Sequence, residues 1–314
     1  MLFRHVVLAV DFSEPSAVAA RTLFRLAERT QTSKITVVHV TEPVVLPSPR
    51  EVVLRARLEA LQTQIIEKAS KRARDFCDQM AAREVGRDPA GRSRFPHEEV
   101  QLEIVTVAGR PAEVVPEVAG RVGASLVAMG THSRKGVRRL FFGSIVEAAV
   151  ARISCPALVL HVGGDGVAPD VELEELQSIV VGVELGPGAE AVVDAAAELS
   201  SALRPDARIV LVHATDSSRR LEDTELRLEL ESAVEEAASS ELAELRARLP
   251  NPERVECRVI HGSADDAVLD VAAETSAEII VIGERKGAHA VLGSTGVQIL
   301  RHSNVSVLIV PVPS

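Results

Sequence analysis

The chain repeats itself once. Val107-Ala108-Gly109 returns as Ile260-His261-Gly262, and Met129-Gly130 returns as Ile282-Gly283, both at an offset of 153 residues. Gly143-Ser144 returns as Gly293-Ser294 at an offset of 150, so the second copy has three residues fewer between its glycines. A period near 150 is the length of a domain, whereas solenoid repeats run at about 20 to 50 residues. The two halves must therefore share one fold, and 314 residues give each enough chain to bury a core of its own.

Within each half, short β-branched runs alternate with longer stretches of helical period. That alternation is the mark of βαβ units on a parallel sheet covered on both faces. Strands are predicted at His5–Val10, Lys34–Val40, Val100–Val107, Ser125–Met129 and Pro156–His161, and again at Ser178–Val183, Arg208–His213, Arg254–Ile260, Glu278–Ile282 and Val305–Val310. The first helix opens at Asp11-Phe12-Ser13-Glu14-Pro15, where Ser13 can accept from the helix's free amides and Pro15 fits its first turn. A long charged helix is expected near residues 51–84, followed by a Gly-, Pro- and Arg-rich loop over Gly86–His97. The predicted domains span 1–162 and 176–314. Residues 163–175, with Gly163-Gly164-Asp165-Gly166 and Pro169, read as the linker.

The net charge of −10 is unevenly shared: residues 1–162 carry 23 Lys+Arg against 17 Asp+Glu, or +6, and residues 163–314 carry 12 against 28, or −16. An acidic total with no Trp, no Tyr and all seven Phe before residue 143 argues against nucleic acid, which needs cationic grooves and stacking surfaces. No apolar run approaches the roughly 18 residues that cross a bilayer, and Met1–Val10 is too short for a secretory signal. The expected location is the cytoplasm. Cys77, Cys155 and Cys257 are far apart and odd in number, which suggests three buried reduced thiols and neither a disulfide framework nor a zinc site. Nine scattered histidines without HExxH spacing point to no metal held by side chains alone.

One segment carries chemistry. Gly130-Thr131-His132-Ser133-Arg134-Lys135-Gly136, continuing to Gly143-Ser144-Ile145, follows the fourth strand of the first half. In a parallel α/β sheet this is the carboxyl edge, where ligands settle at the reversal of strand order. Phosphate is held by converging backbone N–H groups, which glycine lets approach, and by the free amides of a helix start such as Ser144. Each feature also has an ordinary structural use. Ser144 with Glu147 forms a capping box, the glycines can turn the chain, Asp11 can cap or turn, and Arg134, Lys135, Arg138 and Arg139 can form a solvated face.

In these residues the chain resembles a tandem universal stress protein. The ATP-binding branch of that family carries a glycine, two residues, a second glycine, nine residues, then glycine with serine or threonine. The spacing here yields Gly130, Ser133 and Gly143-Ser144, with His132, Arg134, Gly136, Arg139, Leu140 and Asp11 also following the family's wording. The resemblance implies two doubly wound α/β domains of the adenine nucleotide alpha hydrolase-like type, each a five-stranded parallel sheet of order 3-2-1-4-5. It also implies ATP, with Mg²⁺, between strands one and four. Ala9, Asp11 and Val40 would line the adenosine side, and Met129, Gly130, Ser133, Gly143, Ser144 and Ile145 would contact ribose and phosphates. Ser133 departs from the pattern, since a β-carbon where φ is positive costs roughly 1 kcal/mol or more, although its hydroxyl can donate to phosphate.

In the second half Glu184 stands in the place of Asp11 and the loop is shorter, so the longer acid is expected to intrude where a ribose would lie and nucleotide binding to be weak or absent. The family resemblance further implies that Pro156–His161 and Val305–Val310 pair at their edges, within one chain or in a homodimer. The function expected is a stress-response or signalling regulator with no catalytic constellation. A slow ATPase and an interaction module without nucleotide are the alternatives.

Overall fold

The computed structural model describes residues 1–44, 52–84, 100–132, 144–162, 176–215, 224–285 and 291–313. They form two compact units, one built from Phe3–His132 and Ser144–Val162 and the other within Gly163–Ser314. The expected linker, residues 163–175, and the expected loop Gly86–His97 lie outside the described residues.

The first unit runs β1 (His5–Val10), α1 (Glu14–Arg29), β2 (Lys34–Thr41), α2 (Val52–Glu84), β3 (Gln101–Ala108), α3 (Pro111–Val122), β4 (Leu126–His132), α4 (Ser144–Val150) and β5 (Ala157–Val162). Its sheet has the order β3-β2-β1-β4-β5, with every pairing parallel. The second unit runs β6 (Ser178–Gly182), α5 (Ala189–Leu203), β7 (Arg208–Thr215), α6 (Thr224–Ala247), β8 (Val255–His261), α7 (Ala264–Glu274), β9 (Ile279–Arg285), α8 (Ser294–His302) and β10 (Ser306–Val312). Its order, β8-β7-β6-β9-β10, is the same and is again parallel throughout. Both units are thus the doubly wound α/β fold.

The central strands explain why the sheets form. Val6, Val7 and Leu8 on β1, and Ile280 and Val281 on β9, are fully buried, and each such side chain removed from water contributes roughly 1.5–3 kcal/mol. Helix α1 starts as its sequence dictates. Ser13 is extended and its hydroxyl accepts from the Ser16 amide at 3.4 Å, with Pro15 in the first turn. The helix then buries Val18, Leu23, Phe24 and Leu26.

Two expectations need correction. Strands β4 and β9 run three residues past their predicted ends, so Gly130, Thr131 and His132 belong to β4 and not to the loop after it. The reason is the neighbouring strand: Gly130 pairs with Leu160, Thr131 with His161 and His132 with Val162, and the ladder carries the strand on. Of the three thiols only Cys77 is buried, whereas Cys155 and Cys257 are partly exposed. Cys257 lies on β8, an outer strand of its unit with a neighbour on one side only.

Candidate functional site

Strand β1 lies between β2 and β4, so the direction of winding reverses across β1 and β4 and opens a crevice at their carboxyl ends. Val10 pairs with His39 on one side, and Leu8 with Ala128 on the other. This register brings Ala9, half-buried, and Asp11, exposed just beyond the strand, beside Met129, buried, and Gly130. Val40 is half-buried on β2, one strand away. Ile145 is 55% exposed near the start of α4, so its side chain is turned to solvent. Ser144 begins α4. Ser133 and Gly143 lie outside the described residues, as does the side chain of Ser144.

Asp11 is held by its own turn. The Ser13 amide donates to Asp11 Oδ1 at 2.9 Å and the Ser13 hydroxyl donates to the same oxygen at 2.5 Å. Burial pushes this carboxyl upward. The Ser13 hydroxyl and amide, with help from Ser16 and the aspartate's own backbone, outweigh it and leave Asp11 below the usual aspartate value. It is a fixed anion at neutral pH.

Gly130 has a structural reason of its own. A Cβ there would meet the backbone of Pro15 in the first turn of α1, which lies directly against the strand.

Phe12 was not singled out by its place in the sequence. Its φ of 63° is unusual for a bulky residue, and its ring lies 4.4 Å from that of His39 and 5.7 Å, edge-on, from that of Phe76. The Arg72 guanidinium sits 4.2 Å over its face. His39 Nδ1 donates to the Val10 carbonyl at 2.7 Å, which ties β2 to the end of β1. A strained aromatic beside a fixed acid marks the end of β1 as a specialised corner. His5, by contrast, lies at the opposite end of the strand, contacts Thr36 Oγ1 at 2.9 Å and is lowered below the usual histidine value mainly by burial.

The corresponding crevice of the second half is a cavity of about 370 Å³. Val183, Val192, Val212, Val268, Ile282 and Val312 are among its walls. His213 repeats the role of His39, its Nδ1 donating to the Val183 carbonyl at 2.9 Å. Glu184, the acid that stands in the place of Asp11, lines this cavity. Its side chain forms a 2.7 Å ion pair with Arg285, and both side chains are more than half exposed. A second acid, Glu284, is only 6% exposed and accepts from the Gly293 amide at 2.6 Å at the start of α8.

Among the described residues no group of three or more His, Cys, Asp or Glu is arranged to hold a metal ion, and no helix is long and apolar enough to cross a membrane.

Comparison with known proteins agrees with this architecture. The chain is 28% identical over 160 residues to a universal stress protein of Thermus aquaticus, covering 51% of this chain and all of that one. It is 25% identical over 161 residues to a universal stress protein of Methanocaldococcus jannaschii, covering 51% of this chain and 82% of the other. Among solved structures, a universal stress protein from Archaeoglobus fulgidus superposes with a TM-score of 0.59 at 16% identity, over 98% of this chain and 96% of that one. A protein of unknown function from Pseudomonas aeruginosa superposes at 0.64 and 13% identity, over 99% and 93%. The profile of the universal stress protein family matches residues 2–161 and again 175–311. The chain therefore belongs to the universal stress protein family, whose domain it carries twice.

Proposed function

We propose that the first half binds an adenine nucleotide, ATP with Mg²⁺, and that occupancy shifts a conformational or assembly equilibrium through which the protein acts as a stress-response regulator in the cytoplasm. The observation that carries this reading is the corner where β1 meets β4. There Asp11, kept ionised by Ser13, stands beside Gly130 at the reversal of the sheet. An acid in that place suits hydroxyl groups of a ribose. Ala9, Val40 and Met129 complete the adenosine side in this proposal. Ser133, Gly143, Ser144 and Ile145 are assigned to ribose and phosphates from the sequence spacing. Assembly belongs to the same proposal: β5 and β10 are apolar last strands of their own sheets, and such edges take a partner strand, from the other half or from a second chain.

The test is direct. Freshly purified protein should release adenine nucleotide detectable by mass spectrometry, and ATP with Mg²⁺ at millimolar concentration should raise its melting temperature. Asp11→Ala should reduce both effects. If neither bound nucleotide nor a thermal shift is found, the reading is dropped. Steady hydrolysis lost in the Asp11 variant would turn it into a slow ATPase.

A further inference from the structure

We infer that α2 of one chain docks on α6 of a second copy, apolar stripe against apolar stripe, with basic residues of the first helix meeting acidic residues of the second. This contact needs no nucleotide and is separate from the edges of β5 and β10.

Helices α2 and α6 hold the same place in the two units, between the second and third strands of each. An offset of 165 residues relates them: Ala73, Cys77 and Met80, which α2 buries, become Ala238, Leu242 and Leu245, which α6 buries. At the same offset Leu61 and Ile65, 47% and 37% exposed, become Leu226 and Leu230, 56% and 39% exposed. Residues four apart stack on one face of a helix, and both pairs lie on the side away from the buried face. Single exposed apolar side chains are ordinary on a protein surface. Here they gather, for of the nine large apolar residues exposed among the described ones, five lie on these two helices. Leu228, the fifth, projects to the other side of α6.

What surrounds the two pairs differs in sign. On α2 helical spacing sets Arg57 and Lys68 on the stripe of Leu61 and Ile65 and Lys71 beside it, all exposed, with the exposed Asp75 at its far end. On α6 it sets Glu229, Glu241 and Glu244 on the stripe of Leu226 and Leu230 and Glu236 beside it, again all exposed. Lys71 and Glu236 are themselves equivalent at the offset of 165. Over its whole length α6 carries seven Glu against two Arg, and one of those arginines, Arg227, is paired with Glu231. Two α2 stripes face to face, or two α6 stripes, would set like charges together, whereas α2 on α6 sets opposite ones together. Each chain offers one stripe of each kind and leaves both exposed. A second copy therefore supplies the surface that fits, its leucines packing between the ridges of the facing helix.

Sedimentation velocity on the full chain, without nucleotide, tests the contact with two variants. Leu61→Glu with Ile65→Glu turns the α2 stripe acidic and leaves α6 intact, and Leu226→Lys with Leu230→Lys turns the α6 stripe basic and leaves α2 intact. The wild-type chain should associate as its concentration rises, and less so at high ionic strength, which screens charges across an exposed contact. Each variant alone should associate about tenfold more weakly or worse. An equimolar mixture of the two should recover the association, because the intact α6 of one meets the intact α2 of the other. All four positions are exposed, and circular dichroism checks that the fold is kept; if a double variant does not fold, Ile65→Glu and Leu230→Lys singly replace it. A wild-type chain that stays monomeric at every concentration overturns the proposal. So do variants that associate as strongly as the wild type, the result that strand edges alone would give, and a mixture that gains nothing over its two components.

Discussion

A Cβ on Gly130 would lie 2.1 Å from the carbonyl oxygen of Pro15. Backbone cannot rotate away as the end of a long side chain can, so Gly130→Ala must separate the first turn of α1 from the end of β4. The expected cost is about 3 kcal/mol, the upper part of the range for overpacking, read as a lower midpoint in urea unfolding. Gly120, exposed inside α3 with nothing within 4 Å of its would-be Cβ, is the control. Gly120→Ala should stabilise by about 0.5–1 kcal/mol. Two glycine-to-alanine changes in one unit should thus move stability in opposite directions.

Phe12 separates strain from packing. Its φ of 63° costs roughly 1–2 kcal/mol for a residue with a Cβ, while its ring contacts His39, Phe76 and Arg72. Phe12→Ala and Phe12→Gly lose the same ring, but only glycine relieves the backbone. Both should destabilise, and the glycine variant should be the more stable of the two by about 1 kcal/mol, measured by chemical denaturation. A larger loss for glycine would show that the positive φ is not maintained in solution.

Ser13 serves helix and acid together. Ser13→Ala removes the cap received by Ser16 and the hydroxyl donated to Asp11, for about 1 kcal/mol of helix stability. It should also raise the pKa of Asp11, visible by NMR titration. Since Asp11 is depressed in the folded protein, its contribution is present above the unfolded aspartate value near 3.9 and is lost as pH falls through the folded value. The acid limb of the stability profile should therefore be shallower in Ser13→Ala.

Cys77 should be the last thiol to react. Burial pushes it up to about 12, and neighbouring Asp78 adds to the rise. Iodoacetamide at neutral pH should label the partly exposed Cys155 and Cys257 first and reach Cys77 only on unfolding, which peptide mapping can resolve. The same shift predicts a loss of stability at high pH. The raised thiol favours the folded state fully below the unfolded value near 8.5, and that advantage disappears as pH climbs toward about 12.

Much of this was legible in the residues. The two copies, the alternation of strands and helices, and the start of α1 at Ser13 all follow from local rules, because apolar period and capping involve neighbours in the chain. The length of β4 was not legible, because its last three residues are held by β5. Nor was Phe12, whose partners Arg72 and Phe76 come from α2, a helix whose pattern does not reveal which face turns inward.

The sequence by itself determined that the chain carries one fold twice, that each sheet is parallel, and that Asp11 and Gly130 lie toward the carboxyl ends of their strands. Tertiary structure decided which acid of the second half is buried. Position along the chain singles out Glu184, yet that side chain stays exposed in a pair with Arg285, 101 residues away, while Glu284 is buried against the amide of Gly293 beside Gly296. Whether a charge is exposed or buried depends on the countercharges and donors that neighbouring strands bring to it, and those neighbours are set by strand order rather than by distance along the chain.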